Sequence, residues 1–386
     1  MERLDPVGLR QQARRYDNDW LTVLAMLTIF FFHCARFFNF EDWHVKNNQL
    51  DEGLTLFVAI VAQWIMPLFF MLSGISSYYS LNSRTGGRYI SNRFRRLVIP
   101  LIFGTFILLV PVQVWIERYS HAQFGGTFIE FYPRYFEGFY GFGGNFAWMG
   151  LHLWYLEVLF VFTLLTFPLF IFLKKERIQE LISRKTVFFA KTGAIFILGI
   201  PLFLMECLVN LQPEGLGRRD FGGWSSISYI VVFMAGFLIA FDSRNREALE
   251  RSRFVSLALG LLTTGIIFFF HIDLAPLGDF AYPLKIFFRS FNSWFWLLAF
   301  LGFGSRFLEF NNGILKYARE AVLPFYILHQ TIIVLIGFYI ANWETSVMVK
   351  YITLSAFSFI VIIAIYDLLI KRIKVLRFLF GMKAKE

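Results

Sequence analysis

His33 and Arg36 stand three residues apart inside an apolar run, Leu21 to Phe38, with Cys34 between them. At helical spacing the two side chains share a face. An imidazole in hydrocarbon is costly, so it is held there either to hydrogen-bond a neighbouring helix or to do chemistry. The chemistry it suits is general base catalysis, in which the ring takes a proton from an attacking hydroxyl. Thr22, eleven residues before His33, points the same way, and Asp19 lies near that face, so a polar stripe leads along the segment to the histidine.

A second cluster is basic. Arg93, Arg95 and Arg96 precede the apolar Leu97-Val98-Ile99-Pro100. Arg93 and Arg96 project together, and guanidinium groups match phosphate geometry in bidentate fashion. Such a pair either anchors the chain at a membrane surface or grips a nucleotide-bearing donor such as coenzyme A.

Other polar groups are scattered through apolar stretches. His152, Trp154 and Glu157 fall in one, and His329 in another. A carboxyl at Glu157 calls for a cation such as Arg36 or Arg289. His44 follows the first run, and its neighbours Lys46 and Asn47 are hydrogen-bonding types suited to a polar acceptor. The histidines lack any metal-ligand spacing, so no metal site is expected. His121 and His271 read as incidental. No P-loop, dinucleotide fingerprint or nucleophile elbow occurs, and no permanently bound cofactor is expected.

The elements that must position these groups follow from composition. Of 386 residues, 57% are hydrophobic, 17% are charged and 51 are Phe, which excludes a water-soluble surface. The two cysteines, Cys34 and Cys207, lie in apolar runs and offer no disulfide framework. Ten apolar stretches are near or above the length that spans a bilayer: 21–40, 54–81, 97–116, 151–173, 187–209, 224–241, 254–271, 285–301, 321–341 and 347–370. They must be helices, because in lipid only a helix satisfies its own backbone within one segment. The first is expected to be retained, since no small-residue cleavage pattern follows the charged N-terminal residues.

The expected fold is an all-α transmembrane bundle, a single domain over residues 1–386. Of the 37 Lys and Arg, 27 fall at the two ends and in alternate connections, and five in the intervening ones. The positive-inside rule then places both termini in the cytoplasm and requires an even number of spans. The net charge of +10 reflects that rule and attraction to the lipid bilayer; nucleic acid is not an expected partner. The connection 117–150 holds twelve aromatics between Tyr119 and Trp148, interleaved with glycines. It reads as an interfacial aromatic belt or as a platform for sugar rings.

In their order along the chain these stretches resemble acyltransferase family 3, the integral-membrane O-acyltransferases, and within it the periplasmic glucan succinyltransferase branch. The resemblance covers nearly the whole chain. It rests on Asp19-Trp20-Leu21 with His33, on Trp43-His44-Val45-Lys46-Asn47 and on Met66-Pro67-Leu68-Phe69-Phe70-Met71-Leu72-Ser73-Gly74. It continues through Arg93-Phe94-Arg95-Arg96-Leu97-Val98-Ile99-Pro100-Leu101, His152-Leu153-Trp154-Tyr155-Leu156 and Leu323-Pro324-Phe325-Tyr326-Ile327-Leu328-His329-Gln330. The resemblance implies a cell-membrane enzyme that moves an acetyl or succinyl group from cytoplasmic acyl-CoA to a hydroxyl of an extracytoplasmic glycan. It makes His33 the general base and Arg93, Arg95 and Arg96 the donor-binding residues. Arg36 or Glu157 would be the charge partner, and His44, Lys46, Asn47, His152 and Trp154 would lie on the acceptor side. The family pattern has an arginine eleven residues before this histidine, where Thr22 stands here. The competing class is a secondary transporter or flippase for a small solute or a lipid-linked sugar, which acyl-CoA would not stabilise.

Overall fold

The computed structural model describes residues 15–182, 194–219, 222–269, 278 and 280–383. Among the described residues all regular structure is helical, apart from one isolated bridge between Phe139 and Phe146. The elements are α1 (Tyr16–Arg36), α2 (Glu52–Ala62), α3 (Ile65–Asn82), α4 (Gly86–Arg93), α5 (Ile99–Phe106), α6 (Leu109–Ser120), α7 (Phe128–Arg134) and α8 (Trp154–Leu173). There follow α9 (Ile200–Val209), α10 (Ser226–Ala240), α11 (Ser243–Phe268), α12 (Ala281–Phe307), α13 (Gly313–Ile340), α14 (Val347–Ile365) and α15 (Lys374–Leu379).

Among the described residues, eight helical segments are long and apolar enough to cross a membrane: Tyr16–Arg36, Glu52–Asn82, Gly86–Ser120, Leu151–Leu173, Ser243–Phe268, Ala281–Phe307, Gly313–Ile340 and Val347–Ile370. The fifth and sixth of the ten expected stretches are shorter apolar helices, Ala194–Val209 and Ser226–Ala240. Residues 187–193 of the fifth, like His271, lie outside the described residues.

The third expected span is not one straight helix. A π-helical turn, Phe94–Val98, joins α4 to α5, and the helix breaks again at Ile107 and Leu108 before α6. Pro111 accounts for the second break, because it has no N–H to offer the carbonyl of Ile107. The polar residues that interrupt 285–301 are absorbed inside α12. Asn292 donates to the Gly260 carbonyl (3.1 Å) and to the hydroxyls of Thr263 and Thr264 (2.9 and 2.8 Å) on α11. Arg289 lies over the Trp224 ring and donates to the Gly223 carbonyl.

The helix that carries His33 is central: α1 packs against α2, α3, α12, α13 and α14. Its start is tied by Arg15 to Asp17 (2.8 Å), Asn18 to Ser76 (3.0 Å), the Trp20 indole to the Phe310 carbonyl (3.0 Å) and Arg319 to Asp19 (3.5 Å). Its end is capped by Lys46, whose ammonium donates to the carbonyls of Arg36 (2.7 Å), Asn39 and Glu41. Burial and the nearby Arg36 push the Lys46 ammonium down to about 8, so it still carries its charge at neutral pH.

Close packing of α3 on α10 fixes the wall opposite α1. A Cβ added at Gly74 would lie 2.0 Å from the Phe233 carbonyl oxygen, and one added at Gly236 would lie 2.1 Å from that of Met71. The two glycines bring the backbones together reciprocally, as small residues do in membrane helix pairs.

Candidate active site

One cavity of about 1420 Å³ runs through the bundle. It exceeds the roughly 300–1,000 Å³ of an ordinary ligand site. One end is lined by Arg84, Asn92, Arg93 and Arg96, and the other by Trp43, Tyr140, Phe142 and Trp148. Thr22 and His33 both line it, so along α1 alone it extends about 16 Å at 1.5 Å per residue.

His33 faces this cavity and is held from behind by α13. Its Nδ1 lies 2.8 Å from Nε2 of His329, a side chain with no exposed surface, and Nδ1 of His329 lies 2.5 Å from the Tyr326 carbonyl oxygen. A carbonyl only accepts, so His329 Nδ1 carries the proton and Nε2 is bare. That bare nitrogen accepts from His33 Nδ1–H. For two neutral rings the chain of partners leaves His33 Nε2 with its lone pair, and Nδ1 is already spoken for. The Trp43 ring lies parallel to His33, with centroids 6.4 Å apart.

His152 braces the arrangement. Its Nε2 donates to the Ile327 carbonyl (3.1 Å), its own carbonyl accepts from the Tyr326 hydroxyl, and its ring meets His329 edge-on at 5.2 Å. These bonds lock the start of α8 to the part of α13 that presents His329. Trp154, two residues on, lines the cavity and packs on Phe70 and Tyr229.

At the arginine end, Arg93 donates to Ser77 (2.7 Å) and lies over the Tyr89 ring. The π-helical turn inserts its extra residue here. Arg93 and Arg96 line the cavity, whereas Arg95 is exposed outside it. Sequence reasoning missed the opposite wall, where Ser73, Ser76, Ser80 and Ser83 line the cavity along α3. Their spacing of three or four residues was a readable helical stripe. Thr22 donates to the Asn18 carbonyl (2.8 Å) and lines the same space.

At the aromatic end, Arg36 pairs with Glu41 and donates to the Asp42 carbonyl (2.7 Å); both Arg36 and Glu41 line the cavity. His44 lines it too, whereas Lys46 and Asn47 do not. Lys46 caps α1, and the Asn47 side-chain oxygen accepts from the buried Lys350 (3.0 Å). His44 Nδ1 bonds Glu117, which also accepts from the Tyr140 hydroxyl at 2.9 Å, and His44 Nε2 lies 3.0 Å from the amide nitrogen of Gln330. Burial and the Glu117 charge push the Tyr140 phenol up, so it stays a donor. Glu117 and Gln330 were not read from the sequence as site residues. Nothing in their local spacing marks them, since each meets His44 only through the fold.

Glu157 does not meet the cation expected for it. Arg36 and Arg289 are engaged elsewhere, and Glu157 lines a separate pocket of about 250 Å³ with Thr105 and Trp148. The helix geometry explains this: Glu157 is two residues past the cavity-lining Tyr155, about 200° round α8, and so points away from the cavity. His121 is exposed. Among the described residues no three His, Cys, Asp or Glu side chains converge as a metal site.

Comparison with known proteins agrees with this architecture. The model of an acyltransferase domain, acyltransferase 3, matches residues 15–367. Glucans biosynthesis protein C from Salmonella schwarzengrund is 24% identical over 96% of this chain and 95% of its own length. The protein of the same name from Escherichia coli is 25% identical with the same coverage. No solved structure matches. A helical membrane bundle, the family match over nearly the whole chain and these relatives lead to one conclusion: the chain belongs to the acyltransferase 3 family.

Proposed function

We propose that the protein transfers an acyl group from acyl-CoA at the cytoplasmic face to a hydroxyl of a glycan on the far side, with His33 as general base. The observation that supports this best is the bare Nε2 of His33, set between an arginine-lined and an aromatic end of one continuous cavity. The alternation of basic connections assigns the arginine end to the cytoplasm. There the phosphates of the donor meet Arg93 and Arg96, and the thioester arm extends past the serines of α3 towards His33. Arg95, outside the cavity, contributes positive potential at the mouth.

In the transfer, the sugar oxygen bonds to the thioester carbon as its proton passes to His33 Nε2. Arg36, which lines the same cavity and is held by Glu41 and the Asp42 carbonyl, supplies positive charge near the oxyanion that develops. Collapse breaks the carbon–sulfur bond, and the proton leaves His33 for the departing thiolate. No group on the protein is consumed, and no metal or resident cofactor enters. The names of the relatives make a glucan the first acceptor to test, with acetyl and succinyl as the candidate acyl groups. The inner membrane of the cell is the compartment that joins such a donor to such an acceptor.

The test is acyl transfer by purified His33→Gln against wild type, with binding of acyl-CoA followed by thermal stabilisation. We expect a rate loss of about 10²–10⁴ with stabilisation retained. Wild-type transfer by a folded His33→Gln variant would refute the base assignment.

A further inference from the structure

The mechanism above leaves unused a second polar cluster on the cavity wall, formed by His44, Glu117, Tyr140 and Gln330. Glu117 is 4% exposed. It accepts from His44 Nδ1, from the Tyr140 hydroxyl on both oxygens (2.9 and 2.9 Å) and from Arg118 (3.4 Å). Three donors converging on one group are what an ionised carboxylate satisfies, since a protonated acid would have to donate in turn. His44 Nδ1 therefore carries its proton, and in the neutral ring Nε2 is the lone pair.

Gln330 marks what that lone pair is for. Its amide nitrogen, a donor, lies 3.0 Å from His44 Nε2, and both side chains line the cavity. An incoming O–H would take the same place as that amide N–H. The neighbouring residue on α13, His329, orients His33, so one turn of one helix addresses both histidines. Trp43 neighbours both, parallel to His33 at 6.4 Å and tilted against the His44 ring at 5.5 Å, and lines the cavity with them. An aromatic ring lining one cavity with two hydrogen-bonding imidazoles matches what a sugar offers for contact, an apolar face and hydroxyls. A buried carboxylate is no better for stability than an apolar side chain of the same shape, so its presence argues for orientation.

We infer that His44 binds a second hydroxyl of the acceptor sugar, beside the one that His33 deprotonates, and that Glu117 is the residue that positions it. The inference rests on the acyl-transfer reading above and gives that reading its acceptor contact. No proton is moved by His44: its Nε2 accepts a hydrogen bond that lasts through the transfer.

The experiment is steady-state kinetics of the full-length purified protein with succinyl-CoA or acetyl-CoA and a set of glucan oligosaccharides, each lacking one hydroxyl of the terminal residue. In His44→Asn the amide nitrogen replaces Nδ1 and keeps the bond to Glu117, while Nε2 is lost. We expect the acceptor KM of His44→Asn to rise tenfold or more, with kcat within about threefold and the acyl-CoA KM unchanged. Glu117→Gln should show the same split at smaller size. On wild type, one deoxy acceptor should lose the same factor, and His44→Asn should lose nothing further on that acceptor, as for two halves of one interaction. The wild-type arm needs no variant to fold. An unchanged acceptor KM in His44→Asn, a fall in kcat at constant KM, or equal penalties for every deoxy acceptor in both proteins would overturn the inference alone. Absence of transfer by wild type from both thioesters to all the glucans would overturn the acyl-transfer reading and this one with it.

Discussion

At the scale of single residues, the proposed base catalysis depends on which nitrogen of His33 holds a proton. The Tyr326 carbonyl settles His329, and His329 settles His33. A side chain at 329 that can still accept from His33 Nδ1–H should preserve activity. We predict that His329→Gln keeps transfer within about tenfold of wild type, whereas His329→Leu loses about 100-fold or more, at similar thermal stability. Equal losses would show that the residue only packs. His33 was legible because an imidazole in an apolar run stands out by type alone. Its partner was not, because His329 lies 296 residues away and only the packing of α1 on α13 brings the rings together. Glu117 was hidden for the same reason, being 73 residues from His44. Lys46 and Asn47 were read as acceptor groups from their chemistry, yet backbone carbonyls and Lys350 engage them. Lys46→Met should lower the stability of the folded protein by about 2 kcal/mol through the lost charged hydrogen bonds, measurable as a reduced unfolding temperature in detergent.

At the scale of elements, hydropathy found the helices but not their breaks or their contacts. The first span was found, although its helix runs over Tyr16–Arg36 and not 21–40, and the basic stretch does lead into the third, since apolar length and a charge run are local signals. The π-helical turn at Phe94–Val98 is not written in any such signal, whereas the shared direction of Arg93 and Arg96 into the cavity, with Arg95 outside, follows from their three-residue spacing. We predict that Arg93→Ala and Arg96→Ala each raise the acyl-CoA KM about tenfold, whereas Arg95→Ala stays within about threefold. Titration of CoA-dependent thermal stabilisation would check the order. The short α10 is held by backbone contact more than by length. Gly74→Ala and Gly236→Ala place a methyl on a carbonyl oxygen and should each cost about 1–3 kcal/mol, whereas Gly87→Ala, with open space around its Cβ, should be neutral. Equal unfolding temperatures for all three would show that α3 and α10 are not packed this closely.

At the scale of the whole molecule, the polar end groups and the cavity belong together. The proposed donor and acceptor are both too polar to meet inside lipid, and the cavity, with Arg84, Arg93 and Arg96 at one end and an aromatic cluster beside Arg36 at the other, would let each arrive from its own side. The class of fold was readable from composition, because a chain of this hydrophobicity has only helices available to it in a bilayer. The route through the bundle was not, because it is formed between α1, α3, α8 and α13 and belongs to none of them. The most direct measurement uses sealed proteoliposomes with one protein orientation, succinyl-CoA or acetyl-CoA confined to the arginine side and a glucan oligosaccharide confined to the other. We predict acylated glucan on the acceptor side alone, with His33→Gln lowering its rate by about 10²–10⁴. Product formed only when donor and acceptor share one side would contradict it.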